Sequence, residues 1–186
     1  RDFVREAGKM GIWGTIFSKD VGGLQLPMTS AVIIAEELGW ADFSLATGVM
    51  YVLEEGWGYV LDKLGNNALR QEVLPKVIEG EHFLGVASTE PTGGSDVASI
   101  RTQAIRESDH YVISGALEAK EWGGGHLVLT KTNPKEKHKG ISIIYVPATL
   151  DNVRVSKINN MGRMGISTGI VSYDNVEVPL RNLVGE

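Results

Sequence analysis

The apolar positions Ala31, Ile34, Ala35 and Leu38 fall at i, i+3, i+4 and i+7. That spacing puts four side chains on one face of a helix. Thr29 and Ser30 are suited to cap its start, and Gly39 to end it. A second run, from about Asn67 to Ile78, repeats Leu69, Val73 and Val77 every four residues, with Gly80 as its stop. Pro75 interrupts this run, so the pattern predicts a kink or two short helices. The first eighty residues read as helical. From Phe83 onward the period changes to short runs rich in Val, Ile and Thr, separated by turn residues. The predicted strands are Phe83–Thr89, Thr102–Arg106, Tyr111–Ser114, Leu127–Thr132, Gly140–Val146, Val153–Lys157 and Gly169–Val178. Glu107-Ser108-Asp109 is a hairpin turn between two of them. Lys131 to Lys139 is a polar, charged segment expected to be a solvated turn. The fold class is therefore α+β: helices over residues 1–82, then an antiparallel β-barrel or sandwich over residues 83–186.

Composition narrows the function without naming it. The chain has 186 residues, enough to hide roughly 70% of the unfolded surface on folding. A net charge of −5 argues against duplex nucleic acid, whose phosphates call for a basic face. It argues in the same direction against an anionic membrane surface. There is no cysteine, which excludes disulfides, iron–sulfur ligation and thiol nucleophiles. The histidines (82, 110, 126 and 138) are scattered, so no metal site is expected, and each is read as a surface or satisfied residue. No apolar run approaches the ~18 residues of a membrane span. The chain begins Arg1-Asp2-Phe3 and ends Val184-Gly185-Glu186, and both ends are expected to be cut from something longer.

The stretch that carries chemistry is Val86-Ala87-Ser88-Thr89-Glu90-Pro91-Thr92-Gly93-Gly94-Ser95-Asp96-Val97-Ala98. A β-type run ends at Thr89, and Pro91 cannot continue a ladder. Gly93 and Gly94 permit a left-handed turn and a close backbone approach. Ser95 and Asp96 are good N-caps for a short helical turn. Such a turn aims several N–H groups at one point and makes an anion nest, with the Ser95 hydroxyl as a further donor. A plain capped turn would use the same residues. Neither G-x-G-x-x-G nor G-x-x-x-x-G-K-[ST] occurs, so no Rossmann or P-loop site is supported.

Thr89-Glu90-Pro91-Thr92-Gly93-Gly94-Ser95-Asp96 closely resembles the T-E-P-x-A-G-S-D motif of acyl-CoA dehydrogenases. Upstream, Leu74-Pro75-Lys76 followed by Glu79-Gly80-Glu81 resembles the family's L-P-x-L-x-x-G-E. Ala35-Glu36-Glu37-Leu38 with Asp42-Phe43-Ser44 resembles E-E-L-x-x-x-D-x-S, and Gly22-Gly23-Leu24 part of Y-G-G-x-G-L. Downstream, Asp109-His110-Tyr111-Val112-Ile113-Ser114-Gly115 resembles the G-D-x-Y-V-L-N-G hairpin, and Gly140-Ile141-Ser142 the G-I-S-A-F strand. Asn175-Val176-Glu177-Val178-Pro179 with Asn182-Leu183-Val184-Gly185 resembles D-V-x-V-P-x-x-N-L-L-G. The matches run in the family's order over nearly the whole chain.

That resemblance implies a middle β domain set between two helical domains, with the C-terminal helical domain absent from this chain. It implies an FAD cofactor, an acyl-CoA substrate, α,β-dehydrogenation to the enoyl-CoA, and an electron-transferring flavoprotein as acceptor. The cofactor-binding residues it implies are Val86, Ala87, Ser88, Thr89, Glu90, Pro91, Thr92, Gly93, Gly94, Ser95 and Trp122. Val86, Ser88 and Thr89 would line the flavin, with Thr89 at its pyrimidine edge. Ser95 would meet phosphate or the CoA portion of the substrate. Trp122 holds the tryptophan position of a W-I-T or W-I-S triplet, but Gly123-Gly124-Gly125 then leads early into the next strand. Arg163 falls one position before the basic residue of G-x-[RK]-x-S-x-T. The family's catalytic glutamate lies in the absent domain, so no catalytic residue is named, and the chain alone is expected to be inactive. The full-length protein is expected to be a tetramer or dimer, in a bacterial or archaeal cytoplasm or a mitochondrial matrix. Two other readings stay open: a non-catalytic binding or assembly module, and a flavin oxidase or monooxygenase on the same fold.

Overall fold

A computed structural model describes residues 2–91, 93–120, 123–159, 161, 166 and 168–185, with only the backbone of residues 118–120. The chain forms two compact units, Arg1–Leu84 with Asn160–Ile166, and Gly85–Asn159 with Ser167–Glu186.

The first unit holds four helices: α1 (Asp2–Lys9), α2 (Met28–Ala41), α3 (Ala46–Leu64) and α4 (Asn67–Ile78). The face predicted for α2 is the less exposed one, with Ala31 buried and Ile34, Ala35 and Leu38 half-buried. Its predicted ends differ. Pro27, not Thr29 or Ser30, occupies the N-cap, and the helix runs through Gly39 to Ala41. Gly39 neither ends the helix nor fills a tight contact, since a Cβ there would have nothing within 4 Å. In α4, Leu69, Val73 and Val77 are all buried, as their spacing predicts. Asn66 caps this helix, its side-chain oxygen accepting from the Leu69 N–H at 3.0 Å. Pro75 splits nothing: α4 is one helix across it. Proline lies in the last turn, where the Glu79 N–H still reaches the Pro75 carbonyl at 3.0 Å. The helix loses one donor without losing the turn. Gly80 then turns the chain at φ +70°.

Helix α3 organises the unit through carboxylates on its inner face. Glu55 accepts the N–H groups of Gly14 (2.6 Å), Thr15 (3.2 Å) and Ile16 (3.2 Å). Asp62 accepts from the Ser18 N–H at 3.2 Å and its hydroxyl at 2.7 Å. Glu54 accepts the Leu84 N–H at 3.0 Å. These carboxylates supply acceptors to non-helical backbone that would otherwise be buried unpaired.

The second unit is an eight-stranded sheet: β1 (Leu84–Ala87), β2 (Gln103–Arg106), β3 (His110–Lys120), β4 (Gly125–Lys131), β5 (Ile141–Pro147), β6 (Val153–Ile158), β7 (Thr168–Pro179) and β8 (Leu183–Val184). The order is β6-β7-β3-β2-β4-β5-β8, with β1 also paired to β4. The ladders β2–β3, β3–β7, β4–β5, β5–β8 and β6–β7 are antiparallel, and β2 meets β4 in parallel at Gln103 and Lys131. The predicted hairpin forms, with Arg106 opposite Tyr111 and the Glu107 N–H on the His110 carbonyl at 2.9 Å. The core draws on alternate residues of these strands, among them Ala87, Ile113, Val128, Ile144 and Val171, all with 0% exposure. Strand β3 is longer than predicted, and β8 had no prediction. Two residues are too few to show a period.

Candidate functional site

The predicted motif begins on β1, and strand alternation sorts its side chains. Ala87 points into the core, whereas Val86 and Ser88 share the opposite face and are half-buried. Thr89 is half-buried as well. The chain then reverses: Glu90 and Gly93 exchange both backbone bonds, at 2.9 and 3.1 Å. Pro91 is exposed at the tip. Thr92 lies outside the described residues. The turn folds Gly94 back over Thr89, so that a Cβ on Gly94 would lie 3.8 Å from the Thr89 methyl group.

Gly94, Ser95 and Asp96 follow in the open, all exposed. Among the described residues, no acceptor meets their three N–H groups. Asp96 does stand at the N-cap of a 3-10 turn, Val97–Ser99, but its side chain makes no cap bond. The Asp96 carbonyl instead accepts the Ser99 N–H at 3.1 Å and its hydroxyl at 2.8 Å. Gly94 does not use the left-handed region, so its value here is the absence of a side chain above Thr89.

Glu90 is turned inward. The residue is 8% exposed, and its carboxylate accepts the Arg101 N–H on both oxygens at 2.9 Å. One of those oxygens also takes the Thr102 N–H at 2.6 Å and the Thr102 hydroxyl at 2.7 Å. Lys131 holds the far side of the loop, its ammonium donating to the Ala98 carbonyl at 3.0 Å. Neither anchor was foreseen. Glu90 read as part of a ligand-binding motif, and Lys131 as the start of a solvated turn. A charge beginning a polar run at the end of an apolar strand was the one available signal for Lys131.

Trp122 lies outside the described residues, as does Arg163. The glycines after Trp122 are partly explained. Gly125 opens β4 with the Tyr145 ring 2.6 Å from where its Cβ would stand, so only glycine fits. The Gly124 carbonyl accepts the Ala148 N–H at 3.1 Å and the Tyr145 hydroxyl at 3.3 Å. His126 is buried next to them, in an edge-on contact with Tyr173 at 6.3 Å between ring centres. Burial pushes the Tyr173 phenol well above its ordinary range.

What this surface offers is a half-buried strand face of Val86 and Ser88, followed by half-buried Thr89 and a glycine turn with three backbone N–H groups left free by the described residues. A flat ring and a linked anion suit the two parts, as a face of one valine and hydroxyl side chains suits the one and free backbone N–H groups the other. A flavin dinucleotide fits those residues. Among the described residues, no cluster of His, Cys, Asp and Glu could hold a metal ion, and no helix is long and apolar enough to cross a membrane.

Known proteins resemble the chain along its whole length. The family model for the acyl-CoA dehydrogenase N-terminal domain matches residues 1–81, and that for the middle domain residues 85–176. The mitochondrial isobutyryl-CoA dehydrogenase of Dictyostelium discoideum is 30% identical over 100% of this chain and 45% of its own. The crystal structure of an acyl-CoA dehydrogenase from Geobacillus kaustophilus is 28% identical, with a TM-score of 0.89, over 100% of this chain and 50% of that one. A glutaryl-CoA dehydrogenase in complex with glutaryl-CoA is 25% identical, with a TM-score of 0.91, over 98% and 48%. The chain thus spans about half the length of the relatives it matches.

Proposed function

Because the chain belongs to the acyl-CoA dehydrogenase family, we propose that it supplies the flavin-binding wall of an FAD-dependent dehydrogenase acting on an acyl-CoA thioester. The observation that carries this reading is the junction of β1 with its turn. A half-buried strand face leads directly to the free N–H groups of Gly94, Ser95 and Asp96. Val86 and Ser88 pack against the face of the ring, and Thr89 offers a hydroxyl at its polar edge. The Gly93–Asp96 segment receives the pyrophosphate through backbone donors, and the Ser95 hydroxyl adds a bond to phosphate or to the CoA portion of the substrate. Glu90 and Pro91 contribute through the turn they build. Thr92 and Trp122 are assigned to the same site on the family resemblance alone.

Bound there, FAD would supply a hydride acceptor for the β-hydrogen of the acyl chain. The residues of this chain hold and orient that acceptor and shield one side from water. No residue of the chain is proposed as the base that removes the α-proton. Catalysis requires base, substrate and acceptor in near-contact, so the complete protein is the catalytic unit and this chain alone does not turn over. Its electron acceptor is proposed to be an electron-transferring flavoprotein, and its assembled state a dimer or tetramer.

Titration of the purified chain with FAD, followed by flavin fluorescence, tests the reading. We expect saturable binding that Ser95→Ala weakens and that a large side chain at Gly94 abolishes. Absence of binding would remove the flavoprotein assignment from this chain and favour a binding or assembly module. A second assay, of the full-length protein with acyl-CoA substrates and an artificial electron acceptor, should show enoyl-CoA formation that the chain alone does not support.

A further inference from the structure

The loop that carries the free N–H groups is not held by its own turn alone. Its two ends, Glu90 and Arg101-Thr102, are joined across eleven and twelve residues by one buried carboxylate. Thr102 is 1% exposed, and both its N–H and its hydroxyl point at Glu90. Room for Thr102 comes from β3. The β3–β7 register shifts between Ile113 and Gly115, and Gly115 adopts φ +157°. A Cβ on Gly115 would run into the Thr102 side chain. Thr102 is also tied to β4 through its carbonyl, which accepts the Lys131 N–H at 2.8 Å. The same Lys131 holds Ala98 with its side chain. A rigid sheet therefore fixes both ends and the middle of an exposed loop.

We propose that Glu90 is a positioning residue, which acts through Thr102 in the space left by Gly115 to aim the Gly94–Asp96 N–H groups at a dinucleotide phosphate. This rests on the flavin reading above. A carboxylate has acceptors only, and here it faces three donors from two consecutive residues. An amide in its place would turn its own N–H groups toward at least one of them, leaving a buried donor opposed by another. The loop would then detach from β2 while the sheet, whose ladders do not involve Glu90, would persist.

The test uses Glu90→Gln, Thr102→Val and Thr102→Ser in the chain, with two readouts. The first is amide hydrogen exchange without flavin. We expect exchange at residues 93–102 to quicken about tenfold in Glu90→Gln and Thr102→Val, the loss of a bond to a charged group, with β5 and β7 unchanged. The second is affinity for FAD against riboflavin, which has the same ring and no phosphate. FAD should weaken about tenfold or more in those two variants, riboflavin less than about twofold, and Thr102→Ser should restore both. Two results would overturn the proposal: faster exchange with unaltered FAD affinity, or equal loss of FAD and riboflavin with protection falling throughout the sheet. If the unsubstituted chain binds no flavin, the functional reading itself fails and this role with it. If that chain binds FAD and the variants match it in both readouts, only the positioning role fails.

Discussion

Gly56 and Gly58 stand two residues apart in α3 and meet opposite surroundings. A Cβ on Gly56 would have nothing within 4 Å, whereas one on Gly58 would enter the ring of Phe17, itself 0% exposed. Glycine inside a helix costs roughly 0.5–1 kcal/mol relative to alanine. Gly56→Ala should therefore stabilise the fold by about that amount. Gly58→Ala gains the same propensity but overpacks a closed core, which costs about 1–3 kcal/mol, so the net change is destabilising. Urea unfolding of the two variants should move the midpoint in opposite directions, and a shift of the same sign in both would contradict the packing described for Phe17. At this scale much of the candidate site was legible. The reversal at Pro91 and the exposed Gly94-Ser95 follow from local residue chemistry, whereas β1 ends at Ala87, two residues before the expected Thr89. The inward use of Glu90 did not. Its partners are mainly main-chain N–H groups at Arg101 and Thr102, and a backbone donor leaves no mark on the sequence.

Among the elements, α3 shows why one helix in the first unit left no readable face while α2 and α4 did. Helices α2 and α4 bury apolar residues at regular spacing, and their faces stand out. The buried side of α3 instead carries Glu54, Glu55 and Asp62 among glycines and Leu61. Carboxylates at these positions break the apolar spacing that marks a buried face. Their burial is compensated by donors from loop 14–18 and from Arg70 on α4, whose guanidinium reaches Asp62 at 2.8 Å. Burial raises the Asp62 pKa, but bonds from Arg70, Ser18 and Lys63 outweigh it and bring it down to about 2. A folded-state pKa below the unfolded one gives stability that is present above about pH 4 and lost as pH falls through 2. Asp62→Asn should cost about 1.5–3 kcal/mol at pH 7, the range for bonds to a charged group. Its gap from the unsubstituted chain should narrow steadily between pH 4 and pH 2. A gap independent of pH would mean that the Asp62–Arg70 pair contributes nothing through its charge. Glu55 acts in the reverse sense. Burial pushes its pKa up despite its three N–H donors. The folded state thus takes up that proton first, and the strain of holding the charge eases as pH falls.

For the molecule as a whole, the division into helical and β halves was readable from a change of period near residue 83. What the sequence could not rank was how much apolar surface the fold would leave in water. Of the fourteen large hydrophobic side chains exposed among the described residues, eight lie between positions 24 and 45. They include Val32 (60%), Ile33 (59%), Trp40 (79%) and Phe43 (101%). Met28 and Val32, with Val52 of α3, border an apolar cavity of about 190 Å³. The connector that displays Phe43 is stiff. The Asp42 carboxylate accepts the N–H and hydroxyl groups of both Ser44 and Thr47, and Leu45 is held at φ +58°. Covering about 600 Å² of such surface at ~25 cal/mol per Å² is worth about 15 kcal/mol, against an association cost of about 4–15 kcal/mol. At the middle of that cost range the surplus is about 6 kcal/mol, which predicts weak self-association of the chain. Sedimentation velocity should show a species heavier than the monomer growing with concentration in the range of tens to hundreds of micromolar, on the order of the affinity that so small a surplus allows. Phe43→Lys changes a fully hydrated position and Ile33→Glu a largely exposed one, so they should restore the monomer with the unfolding midpoint little altered. A monomer at every concentration would mean that these side chains are too dispersed over the surface to act as one patch.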